Sequence, residues 1–208
     1  MRAVIFDLDG TLIDAAPDLA FKLNQVLATE GLAPLEVEAV KGMIGDGARK
    51  LVERGFAARG AVGRPDHLEM FLTIYPQDPA RHTVVYEGIH TALEQLKGQG
   101  RKLGLCTNKP EAATKAVLAA MQLTDFFEAV VAGDTTPYHK PDPRHLAAVM
   151  ADMEVTDAIM VGDHANDMKV AAALALPSVF CGWGYGEGEG TARAQTPWEL
   201  PEIIAKLG

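Results

Sequence analysis

The chain has 208 residues, 48% hydrophobic and 23% charged, with 28 acidic against 19 basic side chains and a net charge of −9. That composition suits a globular protein, either one large domain or a core with a smaller inserted unit. The acidic balance, with no Lys/Arg run to offset it locally, argues against nucleic acid and anionic membrane as partners. A small phosphorylated metabolite stays open, because a metal and a few placed cations can hold it.

The first predicted element is the buried strand AVIF, residues 3–6. The chain enters it at once, which predicts no secretory signal. Asp7, Asp9, Gly10 and Thr11 follow directly, so two mutually repelling acids end an interior strand. From about residue 15 to 82 no strand is predicted. Residues 17–31, 34–45, 47–60 and 64–75 read as helices, with apolar residues at three- and four-residue spacing and Gly or Pro at the breaks. The expectation is a helical unit inserted after the first strand, with the chain returning to the core near Val84.

A helix over 89–100 comes next, then the strand KLGLC at 102–106, followed by Thr107 and Asn108. Pro110 and Glu111 open a helix over 111–123. The strand AVVA at 129–132 precedes Gly133, Asp134 and the stretch HKPDP, which contains Lys140. Asp142 and Pro143 are the expected cap and first position of a helix over 142–153. The strand AIMVG at 158–162 leads to Asp163 and, four residues on, Asp167, at the start of an Ala-rich helix over 165–176. A last strand, PSVFC at 177–181, runs into the Gly-rich stretch GWGYGEGEGT, expected to be a mobile loop. Cys106 and Cys181 sit among apolar residues and predict buried thiols in a reducing cytoplasm. The longest apolar tract is broken by Pro177 and is too short to span a bilayer.

Strands alternating with crossover helices predict an α/β fold, a Rossmann-like parallel sheet covered on both faces. Ligands in such sheets bind beyond the carboxyl ends of the strands. There the sequence collects Asp7, Asp9, Asp163 and Asp167, the hydroxyl of Thr107 and the ammonium of Lys140. Each has a simpler reading alone: Asp9-Gly10 as a turn, Asp163 and Asp167 as helix-start anions, Thr107 as a cap, Lys140 as a solvated lysine. Together they fall after successive strands at one crevice. Acids this close need a counter-charge. Oxygen donors completed by phosphate and water suit Mg²⁺.

DLDGT, then TN, KPDP and GDxxxD, resemble the four motifs of the haloacid dehalogenase superfamily of phosphohydrolases. The length of the helical insert resembles that family's type 1 cap. The resemblance implies a catalytic core of residues 1–14 and 83–208 and a cap of residues 15–82. Residues 44–55, 86–111 and 132–143 and the GWGYGEGE stretch resemble the phosphoglycolate phosphatase subfamily. His164, where Ser is common, and LALPSVFCGWG, which lacks the usual Ala-Gly-Val, depart from its pattern away from any ligand position.

The resemblance implies that Asp7 is the nucleophile, forming an aspartyl-phosphate, and that Asp9 is the general acid and then base. It places Mg²⁺ on Asp7, the backbone carbonyl of Asp9, and Asp163, with Asp167 orienting them from behind. Thr107, Asn108 and Lys140 would hold the phosphoryl group. For the rest of the substrate, Gly45, Asp46 and Gly47 at the start of a cap helix offer backbone N–H groups, and Arg49 and Lys50 are the nearest cations. The expected substrate is a small carboxylated phosphate monoester, 2-phosphoglycolate first. Three other readings compete. A haloacid dehalogenase would lack Asp9. A phosphosugar mutase would differ mainly in the cap. A receiver-type signalling module would place its acids differently and lack the helical insert. The chain is compatible with a monomer or a homodimer.

Overall fold

β1 (Ala3–Phe6) is buried along its whole length and lies near the middle of the sheet. In this computed structural model, which describes residues Met1–Gly208, the chain leaves β1 and forms the short strand β2 (Ile13–Asp14). Four helices follow: α1 (Ala16–Thr29), α2 (Val37–Lys41), α3 (Gly47–Ala57) and α4 (Pro65–Ile74), ending in a 3₁₀ turn at Tyr75–Gln77. β3 (Val84–Val85) brings the chain back and pairs antiparallel with β2. These two strands are the only crossings into and out of the helical insert, and the pair is termed the hinge.

The rest alternates strand and helix: α5 (Ile89–Gly98), β4 (Leu103–Cys106), α6 (Glu111–Ala120), β5 (Ala129–Val131), α7 (Pro143–Asp152), β6 (Ala158–Gly162), α8 (Ala165–Ala173), β7 (Ser178–Cys181), β8 (Ala192–Ala194) and α9 (Leu200–Leu207). Six strands make one parallel sheet in the order β5-β4-β1-β6-β7-β8. Alternate residues of each strand point to opposite faces. Val4 and Phe6 pack with α5, α6 and α9, while Ala3 and Ile5 pack with α7 and α8. Each such large side chain contributes about 1.5–3 kcal/mol on burial. The first apolar cluster runs on without a break into α1, α3 and α4. No helix is long and apolar enough to cross a membrane.

The predicted helix over 34–45 contracts to α2. Asn24 explains its late start: its side chain accepts from Leu35 N at 2.8 Å and donates to Leu35 O at 2.9 Å. That pins the segment in a non-helical conformation. The sequence reading did not pick out β2, β3, β8 or α9. The strands among them have two or three residues, too few to show a period. The Gly-rich stretch expected to be mobile is tied down: Trp183 Nε1 donates to Thr11 O at 3.0 Å, and Tyr185 N to Asp163 Oδ2 at 2.8 Å. Both cysteines are buried free thiols.

Candidate active site

The carboxyl ends of β1, β4 and β6 bring the motif residues together. Asp7, Asp163 and Asp167 are buried, with carboxylate oxygens within 4.8 Å of one another. Lys140, 4% exposed, places Nζ 2.8 Å from Asp7 Oδ1 and 2.6 Å from Asp167 Oδ1. Burial opposes its charge, but Asp167 and Asp7 outweigh that and hold the ammonium well above the usual lysine range. Asp7 Oδ2 has no protein hydrogen-bond partner, and Asp7 lines a cavity. Asp167 is committed on both sides, since its Oδ2 accepts from His164 N at 3.0 Å.

Asp163 is held equally firmly. Thr11 Oγ1 donates to its Oδ1 at 2.9 Å and Tyr185 N to its Oδ2. Gly10 adopts φ +86°, and a Cβ there would lie 2.2 Å from Asp163 Oδ2, so the turn after β1 needs glycine both for its conformation and for the close approach. Burial, then the charges of Asp7 and Asp167, push Asp163 up to about 8. Burial is also the main cause that lifts Asp167 to about 6, against the pull of Lys140. Three such carboxylates with one ammonium leave an excess of negative charge that a divalent cation would offset. The backbone carbonyl of Asp9 adds a donor that accepts no hydrogen bond in the protein. This hard, all-oxygen set fits Mg²⁺.

Thr107 Oγ1 accepts from Lys109 N at 3.2 Å and keeps its own proton to donate. Asn108 has its side chain fully engaged: Nδ2 donates to Gly45 O at 2.9 Å and to Lys140 O at 3.0 Å, and Oδ1 accepts from Lys140 N at 2.8 Å. It can therefore offer a phosphoryl group only its backbone N–H, which has no partner. Its side chain fixes Lys140 and touches the helical insert.

The sequence matches the haloacid dehalogenase-like hydrolase family over residues 4–180. The chain belongs to that family. It is 43% identical to the phosphoglycolate phosphatase of Caulobacter vibrioides over 88% of its length and 80% of the relative's. It is 44% identical to the phosphoglycolate phosphatase of Rhodospirillum rubrum, again over 88% and 80%. In fold it is similar to the crystal structure of a predicted phosphoglycolate phosphatase of Haemophilus somnus, with TM-score 0.89, 24% identity and 98% of each chain covered. The protein is thus a phosphoric monoester hydrolase of the phosphoglycolate phosphatase-like group.

In this hydrolase the helical insert closes over Asp7 and Asp9, leaving a cavity of about 40 Å³. Gly45, Gly47 and Ala48 line it, together with Leu19, Ile44, Leu51, Phe71 and Tyr75. The two cap cations singled out in the sequence lie away from the cavity. Arg49 is exposed and does not line the cavity, and Lys50 is also exposed and pairs with Glu53 at 2.7 Å. On α3 the residues facing inward are Ala48 and Leu51, and position 49 falls on another side of the same turn. Asp46 turns away too, accepting from Asn166 Nδ2 at 2.8 Å and pairing with Arg54.

Sequence reasoning missed Lys109, the only cation lining the cavity. Its Nζ lies 2.8 Å from Asp9 Oδ1 and 3.0 Å from Oδ2, and it also donates to the hydroxyl of Tyr75. Burial is the main cause raising the Asp9 carboxyl, and Lys109 opposes it. The available signal was position, since Lys109 directly continues the Thr-Asn pair after β4. His145 was missed as well. Burial pushes its imidazole below the usual range, so the ring is neutral, and its Nε2 donates to Thr107 O at 3.0 Å.

Proposed function

We propose that the protein is a Mg²⁺-dependent phosphatase that hydrolyses 2-phosphoglycolate to glycolate and phosphate through an aspartyl-phosphate on Asp7. Residues 1–14 and 83–208 would form its catalytic core and residues 15–82 its cap. One observation carries the substrate reading: a cavity of about 40 Å³ over Asp7 with a single lining cation, Lys109. Phosphate would face Asp7, and the carboxylate would sit near Lys109, whose three donors serve Asp9 and Tyr75 and which would therefore act through its charge. The curated relatives named phosphoglycolate phosphatase support the same substrate.

Asp7 Oδ2 attacks phosphorus, the ester P–O bond breaks, and the Asp9 carboxyl gives its proton to the departing glycolate oxygen. Asp9, now a carboxylate, takes a proton from water as that water attacks phosphorus. The bond to Asp7 then breaks and inorganic phosphate leaves. Thr107 Oγ1, Asn108 N and Lys140 Nζ donate to the phosphoryl oxygens throughout. Mg²⁺, held by Asp7, the Asp9 carbonyl and Asp163, would supply further charge stabilisation.

Lys109→Ala tests the carboxylate reading. An opposite charge within about 4–6 Å is worth roughly 1–3 pKa units, or about 1.4–4 kcal/mol. The kcat/KM for 2-phosphoglycolate should therefore fall at least about tenfold further than that for ethyl phosphate, which has no carboxylate. Any harm from leaving Asp9 unpaired falls on both esters and cancels in the ratio. Equal losses would remove Lys109 from this role. A wild-type enzyme with no preference for 2-phosphoglycolate over ethyl phosphate would overturn the substrate itself.

The acid cluster also sets a pH dependence. Without a cation, Asp163 is pushed up to about 8, so it holds a proton at neutral pH that Mg²⁺ must displace. Apparent Mg²⁺ affinity should therefore rise with pH, up to about tenfold per unit, and level off above about pH 8. Calorimetry at several pH values, in buffers of different ionisation enthalpy, would show proton release. A flat profile would contradict the buried acidic site.

A further inference from the structure

The Gly-rich segment after β7 has no part in the chemistry, yet it joins the acid cluster to the hinge of the helical insert. Tyr185 N donates to Asp163 Oδ2 at 2.8 Å. At its other end, Tyr185 Oη donates to Asp14 Oδ1 at 2.7 Å and accepts from Ala15 N at 2.7 Å and Ala16 N at 3.1 Å. A phenol has one donor and two acceptor positions, and all are used. The target is the start of α1, whose N-cap, Ala15, offers no capping side chain, and where Asp14 Oδ1 shares the Ala16 N–H at 3.2 Å. Tyr185 therefore caps from outside the helix, at the point where the chain leaves β2.

Trp183 makes a second bond of the same kind. Its indole N–H meets Thr11 O at 3.0 Å, and Thr11 Oγ1 holds the other oxygen of Asp163. Its ring packs edge-on against Tyr86, which follows β3, with centroids 6.5 Å apart. Between the two aromatics, Gly184 lies so close to Asp163 that a Cβ would come within 2.2 Å of the aspartate's own Cβ. Asp163 Oδ2 is thus held by a residue whose other end grips β2 at Asp14, and Oδ1 by Thr11, whose carbonyl accepts from Trp183 beside Tyr86.

We propose that Tyr185 is a positioning residue that couples the acid cluster to the hinge, so that fixing Asp163 orders the point where the helical insert swings. This rests on the reading of Asp163 as a Mg²⁺ ligand. Coupling between sites is reciprocal and typically 5- to 150-fold. Mg²⁺ alone, with no substrate, should then slow hydrogen exchange at Ala15 N and Ala16 N by at least about fivefold in the wild-type protein. Tyr185→Phe keeps the ring and the backbone N–H on Asp163 and removes only the hydroxyl. In that variant Mg²⁺ should still bind calorimetrically but slow exchange at these amides by less than about twofold. A purely structural hydroxyl would raise exchange equally with and without Mg²⁺, and that result would overturn the coupling. Full Mg²⁺ protection in Tyr185→Phe would overturn it as well. No Mg²⁺ binding in the wild type would overturn the metal reading and the coupling with it. If Tyr185→Phe fails to fold, Asp14→Asn, which removes the anionic acceptor of the Tyr185 hydroxyl and leaves its backbone N–H on Asp163, should show the same loss of Mg²⁺ protection at Ala15 N, and full protection there would overturn the coupling.

Discussion

Asp7→Asn is expected to abolish measurable turnover of 2-phosphoglycolate. Asp7 Oδ2 is the one oxygen of the three clustered acids that lacks a protein partner, and Asp7 is the one of the three that lines the cavity. An amide cannot form the acyl-phosphate bond. Losing a covalent nucleophile costs on the order of 10⁶-fold in kcat. The fold should survive. The amide is isosteric and can still accept from Lys140, and Asp163 and Asp167 lose a like-charged neighbour. The melting temperature should therefore hold or rise. Acid quenching of wild-type turnover should trap phosphate on the peptide carrying Asp7, and the same treatment of Asp7→Asn should trap none. Turnover near wild type in the variant would remove Asp7 from the chemistry.

Lys140→Met is expected to damage both stability and rate. Its ammonium is the only cation within 4.0 Å of Asp7 and Asp167, and it is 4% exposed. Breaking a buried pair by removing one partner costs about 3–5 kcal/mol, because the remaining charges stay uncompensated. For a chain of this size that lowers the melting temperature by roughly 10 °C. If Lys140 donates to the phosphoryl group as proposed, its loss should lower kcat by about 10²–10³-fold. The two losses should separate on adding Mg²⁺. Part of the stability should return, since a cation offsets the acids, while kcat stays low. Melts with and without Mg²⁺, alongside kcat, check this. An unchanged melting temperature would show that the acid cluster does not depend on Lys140 for its charge balance.

The parallel sheet and the acid-bearing edge were legible because they rest on local patterns. AVIF, KLGLC, AVVA, AIMVG and PSVFC are apolar runs of strand length, and a chain that alternates them with helices has few ways to bury both. Residues directly after such strands must emerge at one edge. That is why Asp7, Thr107, Lys140 and Asp163 could be placed together before any distance was known. The hinge strands and the contraction of α2 were not legible. They depend on contacts such as Asn24 with Leu35, whose partner is named nowhere in the local sequence.

The sequence by itself determined which residues emerge at the sheet edge, since backbone periodicity dictates which residues leave a strand at its end. Only the tertiary structure decided which side chains face the substrate. Arg49 and Ala48 are neighbours in sequence, yet α3 turns Ala48 into the cavity and leaves Arg49 exposed. Lys109 gained its place because Tyr75, 34 positions away, closes over it and Asp9 binds it from 100 positions away. Tyr185 likewise meets Asp14 across 171 positions. The rotation of a packed helix and the partners of a buried ion pair are set by the packing of distant segments against one another, and no local pattern carries that information.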